Sequence, residues 1–232
     1  MNIVNIAGLI SLSLLVFAAI LLLINYKEGR YSFLALAFYL AQIVFLDLVS
    51  TKVIHLGELT TFYIGTMNNL LDAPLLLIFL RYFSKSEKIN KMIYITIIAL
   101  LIYDLILYFI MGLTNRFLTF VIGPGLFAVT AFAFYFFVDQ LKAAMYHRKE
   151  VGKAFISGGL VFTYACFLFI YVMFYVLESD QLKDIYMIYH ITFMVLGASL
   201  ITGMAIIMRT RLVKSKPVQR SKKEDPNAFQ YL

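Results

Sequence analysis

The chain has 232 residues, of which 62% are hydrophobic and 14% are charged, and its mean hydropathy is +0.86. Water-soluble domains are about half apolar and about a quarter charged, so this composition excludes a soluble fold. The net charge of +7 does not indicate a nucleic-acid site, because membrane proteins retain Lys and Arg on their cytoplasmic side. Cys166 is the only cysteine, which excludes a disulfide framework and a cysteine-rich metal site.

Seven apolar stretches of about 20 residues follow one another along the chain, each long enough to cross the hydrocarbon layer of a bilayer as a helix. The first stretch lacks the basic start and the cleavage pattern of a signal peptide. The sequence therefore predicts an all-α integral membrane protein, a bundle of seven transmembrane helices. The predicted spans are residues 3–24, 31–54, 61–83, 92–112, 118–140, 154–177 and 185–208.

Positive charge is distributed unequally between the two sides of this predicted bundle. The first, third and fifth connections, with the span ends beside them and the carboxyl-terminal segment, contain 17 of the 20 Lys and Arg residues. Lys52, Arg116 and Lys183 lie on the other side. The positive-inside rule therefore predicts an outside amino terminus and a cytoplasmic carboxyl terminus. Six acidic residues share the cytoplasmic side with these 17 cations, which leaves it a net charge of +11.

The predicted domain organisation is a transmembrane domain at residues 1–209 and a basic cytoplasmic tail at residues 210–232. The tail is polar from Pro217 onward, so we expect it to be disordered. Its cations favour anionic lipids at the cytoplasmic face of the bilayer over nucleic acid. We expect an integral, multi-pass protein of the plasma (inner) membrane. The tail contains no effector domain, so signalling would require a separate cytoplasmic or membrane protein partner.

Three aspartates, Asp47, Asp72 and Asp104, lie inside the predicted spans. A charged residue at the centre of a membrane helix costs about 2.5–3.5 kcal/mol on insertion scales. With a rise of about 1.5 Å per residue, the three carboxyls lie about 10–16 Å below the outer surface. Such residues normally face the bundle interior or a water-filled cavity, so the aspartates are candidates for a functional site.

Helical spacing groups further polar side chains with these aspartates. Asn68, Asn69 and Asp72 lie along one face of the third span. Two tyrosines of the sixth span also share a face, and a buried tyrosine needs a partner for its hydroxyl. We therefore predict a polar pocket that opens to the outside. Its candidate ligand-binding residues are Asp47, Asn68, Asn69, Asp72, Asp104, Tyr164, Tyr171 and His190.

These residues also have a purely structural interpretation. Asn68, Asn69 and Asp72 would be interhelical hydrogen-bonding groups, each contact contributing about 0.6 kcal/mol. Asp47 and Asp104 would be neutral carboxyls bonded to neighbouring groups. The tyrosines would form the aromatic belt at the membrane interfaces, because the chain contains no Trp.

Pro74 is a helix breaker two residues after Asp72. Proline has no backbone N–H, so it frees a carbonyl about one turn earlier, near Leu70. A proline inside a helix also kinks it, and such kinks help to form cavities between membrane helices.

Two known families share part of this pattern. The seven-helix plan and the size resemble those of the microbial rhodopsins, but the seventh span contains no lysine for a retinal Schiff base. Zinc-dependent membrane hydrolases use the residue types of Ser50, Asp72 and His190. Only His55 and His190 lie on the outer side, too few for a three-histidine zinc site. We therefore expect no cofactor and no metal.

The sequence favours a sensor or receptor-like protein that binds a small cationic or polar ligand at Asp72. One alternative is a transporter of small solutes or protons, which needs a polar path that continues to the inner face. The other is an intramembrane lipid hydrolase that uses Ser50 or His190. Enzymatic activity is the less favoured class.

Overall fold

The computed structural model describes residues 3–51, 53–147, 150–177 and 182–215, and the regular structure in these ranges is entirely helical. Seven helices are long and apolar enough to cross a membrane, which confirms the prediction of seven such helices and indicates an integral multi-pass membrane protein. They are α1 Ile3–Ile24, α2 Tyr31–Ser50, α3 Glu58–Leu80, α4 Glu87–Met111, α5 Asn115–Tyr146, α6 Glu150–Tyr171 and α7 Leu182–Ser215.

Several helices extend beyond the predicted spans. α4 begins at Glu87 and α5 ends at Tyr146, because charged residues such as Lys142 favour the helical conformation even though they end an apolar stretch. α7 continues to Ser215, past the predicted domain boundary at residue 209. The rest of the predicted disordered tail, residues 216–232, lies outside the described residues.

Two residues explain the tight connection between α4 and α5. Gly112 ends α4 with a φ of +63°, a left-handed conformation that is accessible to glycine at little cost. Thr114 then caps α5, because its side chain accepts a hydrogen bond from the Phe117 backbone N–H at 3.1 Å. A connection this short makes α4 and α5 antiparallel neighbours.

Six helices form a ring, and α4 lies outside it. Contacts run in the order α1, α2, α3, α5, α6 and α7, and α7 packs against α1 to close the ring. α4 contacts α3 and α5 and buries Ile93, Ile97 and Asp104. Successive helices alternate in direction, so one end of the bundle has the start of α1 and the α2–α3, α4–α5 and α6–α7 connections. We call it the amino-terminal end, and the opposite end the carboxyl-terminal end.

Glycines allow α7 to approach both of its neighbours closely. A Cβ atom at Gly152 of α6 would be 2.6 Å from the carbonyl oxygen of Gly203 of α7. A Cβ atom at Gly203 would likewise be 2.6 Å from the carbonyl oxygen of Gly152. A Cβ atom at Gly197 would be 2.8 Å from Cβ of Leu14 in α1. Small residues let helix backbones pack in this way inside membranes.

Mostly apolar side chains fill the carboxyl-terminal half of the ring, with Gln140 and Ser157 as buried polar exceptions. Phe33, Phe79 and Phe83 are at most 1% exposed, and the rings of Phe83 and Phe136 are 6.0 Å apart. This filling separates the polar side chains near the middle of the bundle from the carboxyl-terminal end. Further buried apolar side chains of this half are Leu36, Leu76, Leu80, Ile156, Leu160, Leu200 and Met204.

Candidate functional site

Asp72 of α3 is the centre of a hydrogen-bonded group that joins three helices. The Tyr164 hydroxyl of α6 donates to Asp72 Oδ1 at 2.7 Å. The hydroxyl of Tyr39, from α2, is 3.0 Å from the Tyr164 hydroxyl. Tyr39 and Tyr164 are 2% and 0% exposed, so their hydroxyls depend on partners inside the bundle. The Asp72 carboxyl is therefore held by a helix that is not its direct neighbour in the ring.

A pocket of about 200 Å³ extends from Asp72 toward the amino-terminal end. Its polar lining combines Asn68, Asn69 and Asp72 of α3 with Tyr171 of α6, so the structure brings these four predicted residues together. Asn68 Oδ1 is buried and has no hydrogen-bond partner in the described part of the chain. The remaining lining is apolar or aromatic: Tyr39, Ile43, Ile122, Leu126, Phe167, Ile170, Tyr175, Tyr189 and Phe193.

Tyr171 forms one wall of this pocket and is anchored to α5. Its hydroxyl donates to the Thr119 carbonyl oxygen at 2.9 Å. Gly123 makes the approach possible, because a Cβ atom there would be 2.7 Å from the Tyr171 hydroxyl oxygen. Directly after Tyr171 the chain forms a π-helical segment, Val172–Val176. Single π-helical turns are frequent at functional sites, and this one contains Tyr175 of the pocket.

Asp104 lines a second, smaller cavity between α3, α4 and α5. This cavity has a volume of about 20 Å³ and shares Asn69 and Asp72 with the larger pocket. Asp104 is 8% exposed, and its Oδ1 atom has no hydrogen-bond partner among the described residues. Pro74 and Leu70 also line the cavity, and Pro74 has no N–H to donate to the Leu70 carbonyl.

Asp47 and His190 lie apart from the Asp72 pocket and line neither of the two cavities. His190 Nδ1 is 3.4 Å from the hydroxyl of Ser11 in α1, and this hydroxyl also donates to the Gly8 carbonyl at 2.8 Å. Asp47 is close enough to His190 for an electrostatic interaction between the two side chains. The predicted residues thus divide into a group of six around Asp72 and a separate pair beside α1.

The residues of the hydrolase alternative are also distributed over different places. Ser50 is exposed at the end of α2, and its hydroxyl donates to the Asp47 backbone carbonyl at 2.9 Å. Asp72 is bonded to Tyr164, and His190 lies beside Ser11. Within the described ranges, no group of three or more His, Cys, Asp or Glu side chains is placed to hold a metal ion.

Sequence spacing does not identify Tyr39 or Ser11. A tyrosine in a membrane span is as typical of the aromatic belt as of a polar site, and α1 contains no acid to which Ser11 is related by spacing. One signal was present for Tyr39: it lies near the middle of the second span, far from either interface, where belt residues are not expected.

Comparisons of the chain with protein-family models, curated proteins and solved structures give no match.

Proposed function

We propose that this chain is a receptor-like sensor that binds a small cationic ligand in an outward-facing pocket at Asp72. It lies in the plasma (inner) membrane with its amino terminus outside and its carboxyl terminus in the cytoplasm. Anionic lipids contact the basic cytoplasmic face, and a separate protein partner responds to the ligand-bound state.

The position of Asp72 at the inner end of the 200 Å³ pocket is the observation that carries this proposal. The hydrogen bond from Tyr164 orients the carboxyl, and Asn68 Oδ1 adds a buried acceptor that has no partner among the described residues. The pocket is therefore rich in acceptors and suits a ligand that donates hydrogen bonds. Pockets for drug-sized molecules have volumes of about 300–1,000 Å³, so the ligand is smaller than these.

Aromatic rings next to these acceptors favour an organic cation. The ring centroids of Tyr189 and Phe193 are 4.5 Å apart, and those of Phe167 and Phe193 are 5.2 Å apart. Tyr171 and Tyr175 form a second pair at 5.6 Å. An ammonium group over an aromatic face gains about 0.5–2 kcal/mol. The combination of a carboxylate, amides and aromatic rings fits a small organic ammonium compound.

α7 connects the pocket to the opposite end of the bundle. Tyr189 lines the pocket, and Arg211, on the same helix, forms an ion pair with Glu28 of the α1–α2 connection. A shift of α7 on ligand binding would change this ion pair and the basic surface around it. The proposed signal is this change at the cytoplasmic face, which the partner protein recognises.

The apolar filling of the carboxyl-terminal half favours a sensor over a transporter. Leu76, Leu80 and Phe83 follow Asp72 along the chain and are at most 1% exposed. A transported ion or polar solute would lose its hydration there and meet few polar side chains, such as the buried Gln140 and Ser157. Proteoliposomes that contain the protein should therefore show no flux of the ligand, whereas a transporter would move it across the bilayer.

Binding of ammonium compounds to the purified protein tests the proposal. The probes are methylammonium, ethanolamine, choline and spermidine, and the measurement is the midpoint of thermal unfolding in detergent. We expect at least one compound to raise the midpoint, and the rise to increase with the logarithm of its concentration above the dissociation constant. Asp72→Asn should abolish this rise, because the substitution removes the negative charge and keeps the size of the side chain.

Asp47→Asn is the matched control, since it makes the same change at a membrane carboxyl outside the pocket. It should keep the response to the ammonium compound. The proposal is wrong if Asp72→Asn binds as tightly as the natural protein, or if Asp47→Asn loses binding and Asp72→Asn does not.

A further inference from the structure

The small cavity between α3, α4 and α5 combines several oxygen-bearing groups. Its volume is about 20 Å³, roughly the space of one water molecule. Asp72 and Asp104 both line it, together with Asn69. No Lys, Arg or His is among the lining residues, so the protein places two carboxyls at one small cavity without a cationic side chain there.

Asp104 gives a reason to expect a ligand in this cavity that does not depend on the composition of the lining. It is more than nine-tenths buried, with 8% exposure, and its Oδ1 atom has no hydrogen-bond partner in the described ranges. An unpaired buried carboxylate is strongly destabilising unless another charge compensates it. α4 is otherwise almost wholly apolar on its buried face, where Ile93 and Ile97 accompany Asp104. A group that binds to Asp104 would remove this cost.

The backbone adds an acceptor at the same place. Pro74 lies inside α3 and cannot donate to the carbonyl one turn earlier, that of Leu70. Both residues line the cavity. Backbone carbonyls without a helical hydrogen-bond partner coordinate sodium in membrane transporters, where the helices are unwound; α3 stays helical, and only its proline frees the carbonyl. The cavity is therefore supplied with carboxylate, amide and carbonyl oxygens.

We infer that this cavity binds a sodium ion. Oxygen ligands suit hard cations, and a volume of about 20 Å³ admits one dehydrated ion. Magnesium does not fit, because it usually keeps several of its waters. Calcium takes about six to eight oxygens and would need both carboxylates to bind through both oxygens, which the hydrogen bond from Tyr164 to Asp72 Oδ1 opposes.

The ion site and the larger pocket share Asp72 and Asn69. Sodium would hold these two side chains from the α4 side, while Tyr164 holds Asp72 from α6. The site itself does not depend on the proposed organic ligand, because Asp104, Leu70 and Pro74 line the small cavity and not the larger one.

Thermal unfolding of the 232-residue chain in nanodiscs, with no organic ligand present, tests this inference. Caesium chloride, whose cation is much larger than sodium and is not an ammonium compound, replaces sodium chloride at constant ionic strength and pH. We expect the unfolding midpoint to rise with the logarithm of the sodium concentration above the dissociation constant, and to rise less with potassium. Asp104→Asn should weaken the apparent sodium affinity at least about tenfold. Without sodium, the same variant should melt above the natural protein, because it lacks the unpaired carboxylate.

Two further variants make the test specific. Asp47→Asn changes a membrane carboxyl elsewhere and should keep the sodium response. Pro74→Ala keeps both carboxylates but gives the Leu70 carbonyl an amide donor, so it should weaken the response. The inference is overturned if the midpoint depends on pH but not on sodium, if calcium acts and sodium does not, or if Asp104→Asn responds like the natural protein. Failure here would leave the ammonium-binding experiment unaffected.

Discussion

Among individual residues, Tyr164 has the largest role in ordering the Asp72 group. Its hydroxyl donates to Asp72 Oδ1 at 2.7 Å and lies 3.0 Å from the Tyr39 hydroxyl, so one side chain links α2, α3 and α6. We expect Tyr39 to contribute less, because its hydroxyl is bonded to Tyr164 and interacts with Asp72 less strongly than the Tyr164 hydroxyl does. A carboxyl inside the bundle that loses such a partner loses a charge-assisted hydrogen bond, which costs stability.

Removal of the two hydroxyls should therefore have unequal effects. We expect Tyr164→Phe to lower the free energy of unfolding by about 1 kcal/mol, and Tyr39→Phe to lower it by less. Equilibrium unfolding in mixed micelles measures both changes. Tyr108→Phe, at a 45% exposed position, is the control and should be neutral. A larger effect for Tyr39→Phe than for Tyr164→Phe would contradict the proposed order.

At the scale of helices, the position of α7 depends on close backbone contacts. Gly152 and Gly203 meet where α6 and α7 cross, and Gly197 packs against Leu14 of α1. These contacts fix the helix that carries Tyr189 of the pocket at one end and Arg211 at the other. Side chains larger than glycine would separate the helices and disturb the pocket wall.

Gly203→Ala tests this packing. A Cβ atom there would be 2.6 Å from the Gly152 carbonyl oxygen, so we expect a loss of about 1–3 kcal/mol in the free energy of unfolding. Gly65→Ala is the matched control, because nothing lies within 4 Å of a Cβ atom at Gly65. It should be neutral or stabilise α3 by up to about 1 kcal/mol. Equal losses in the free energy of unfolding for both variants would show that the close packing of α6 and α7 is not the cause of the loss in Gly203→Ala.

For the whole molecule, the charge distribution predicts one orientation in the bilayer. The carboxyl-terminal end includes the α1–α2, α3–α4 and α5–α6 connections, which belong to the side with the net charge of +11. Anionic lipids attract each such cation by about 1 kcal/mol. The pocket extends to the opposite end, so the same orientation directs it to the outside.

Cysteine labelling in intact cells tests this orientation. Cys166 is the only cysteine, so Cys166→Ala gives a background without thiols. In that background we expect a membrane-impermeant maleimide to label His55→Cys in the α2–α3 connection and not Ser86→Cys before α4. Both positions are exposed, and permeabilised cells provide the control in which both should react. The reverse pattern would invert the orientation and direct the pocket to the cytoplasm.

Part of the candidate site was predictable, because it lies on one helix. Asn68, Asn69 and Asp72 share a face of α3 through spacing alone, and the structure places them in one pocket. Spacing gives no information on which faces of different helices meet. Asp47 and His190 were therefore grouped with Asp72, whereas they line neither of the two cavities and His190 lies beside Ser11.

The sequence by itself determined the helical class, the number of long apolar helices and which acids lie within the spans, because hydropathy and helical period are local properties. Only the tertiary structure decided that α4 lies outside the ring, that Tyr164 and Tyr39 hold Asp72, and that Asp104 lines its own cavity. These features depend on the order and rotation of the helices around the ring. Apolar helices of similar length pack in many ways, so the close contacts of particular glycines and hydroxyls, far apart in the chain, select the observed arrangement.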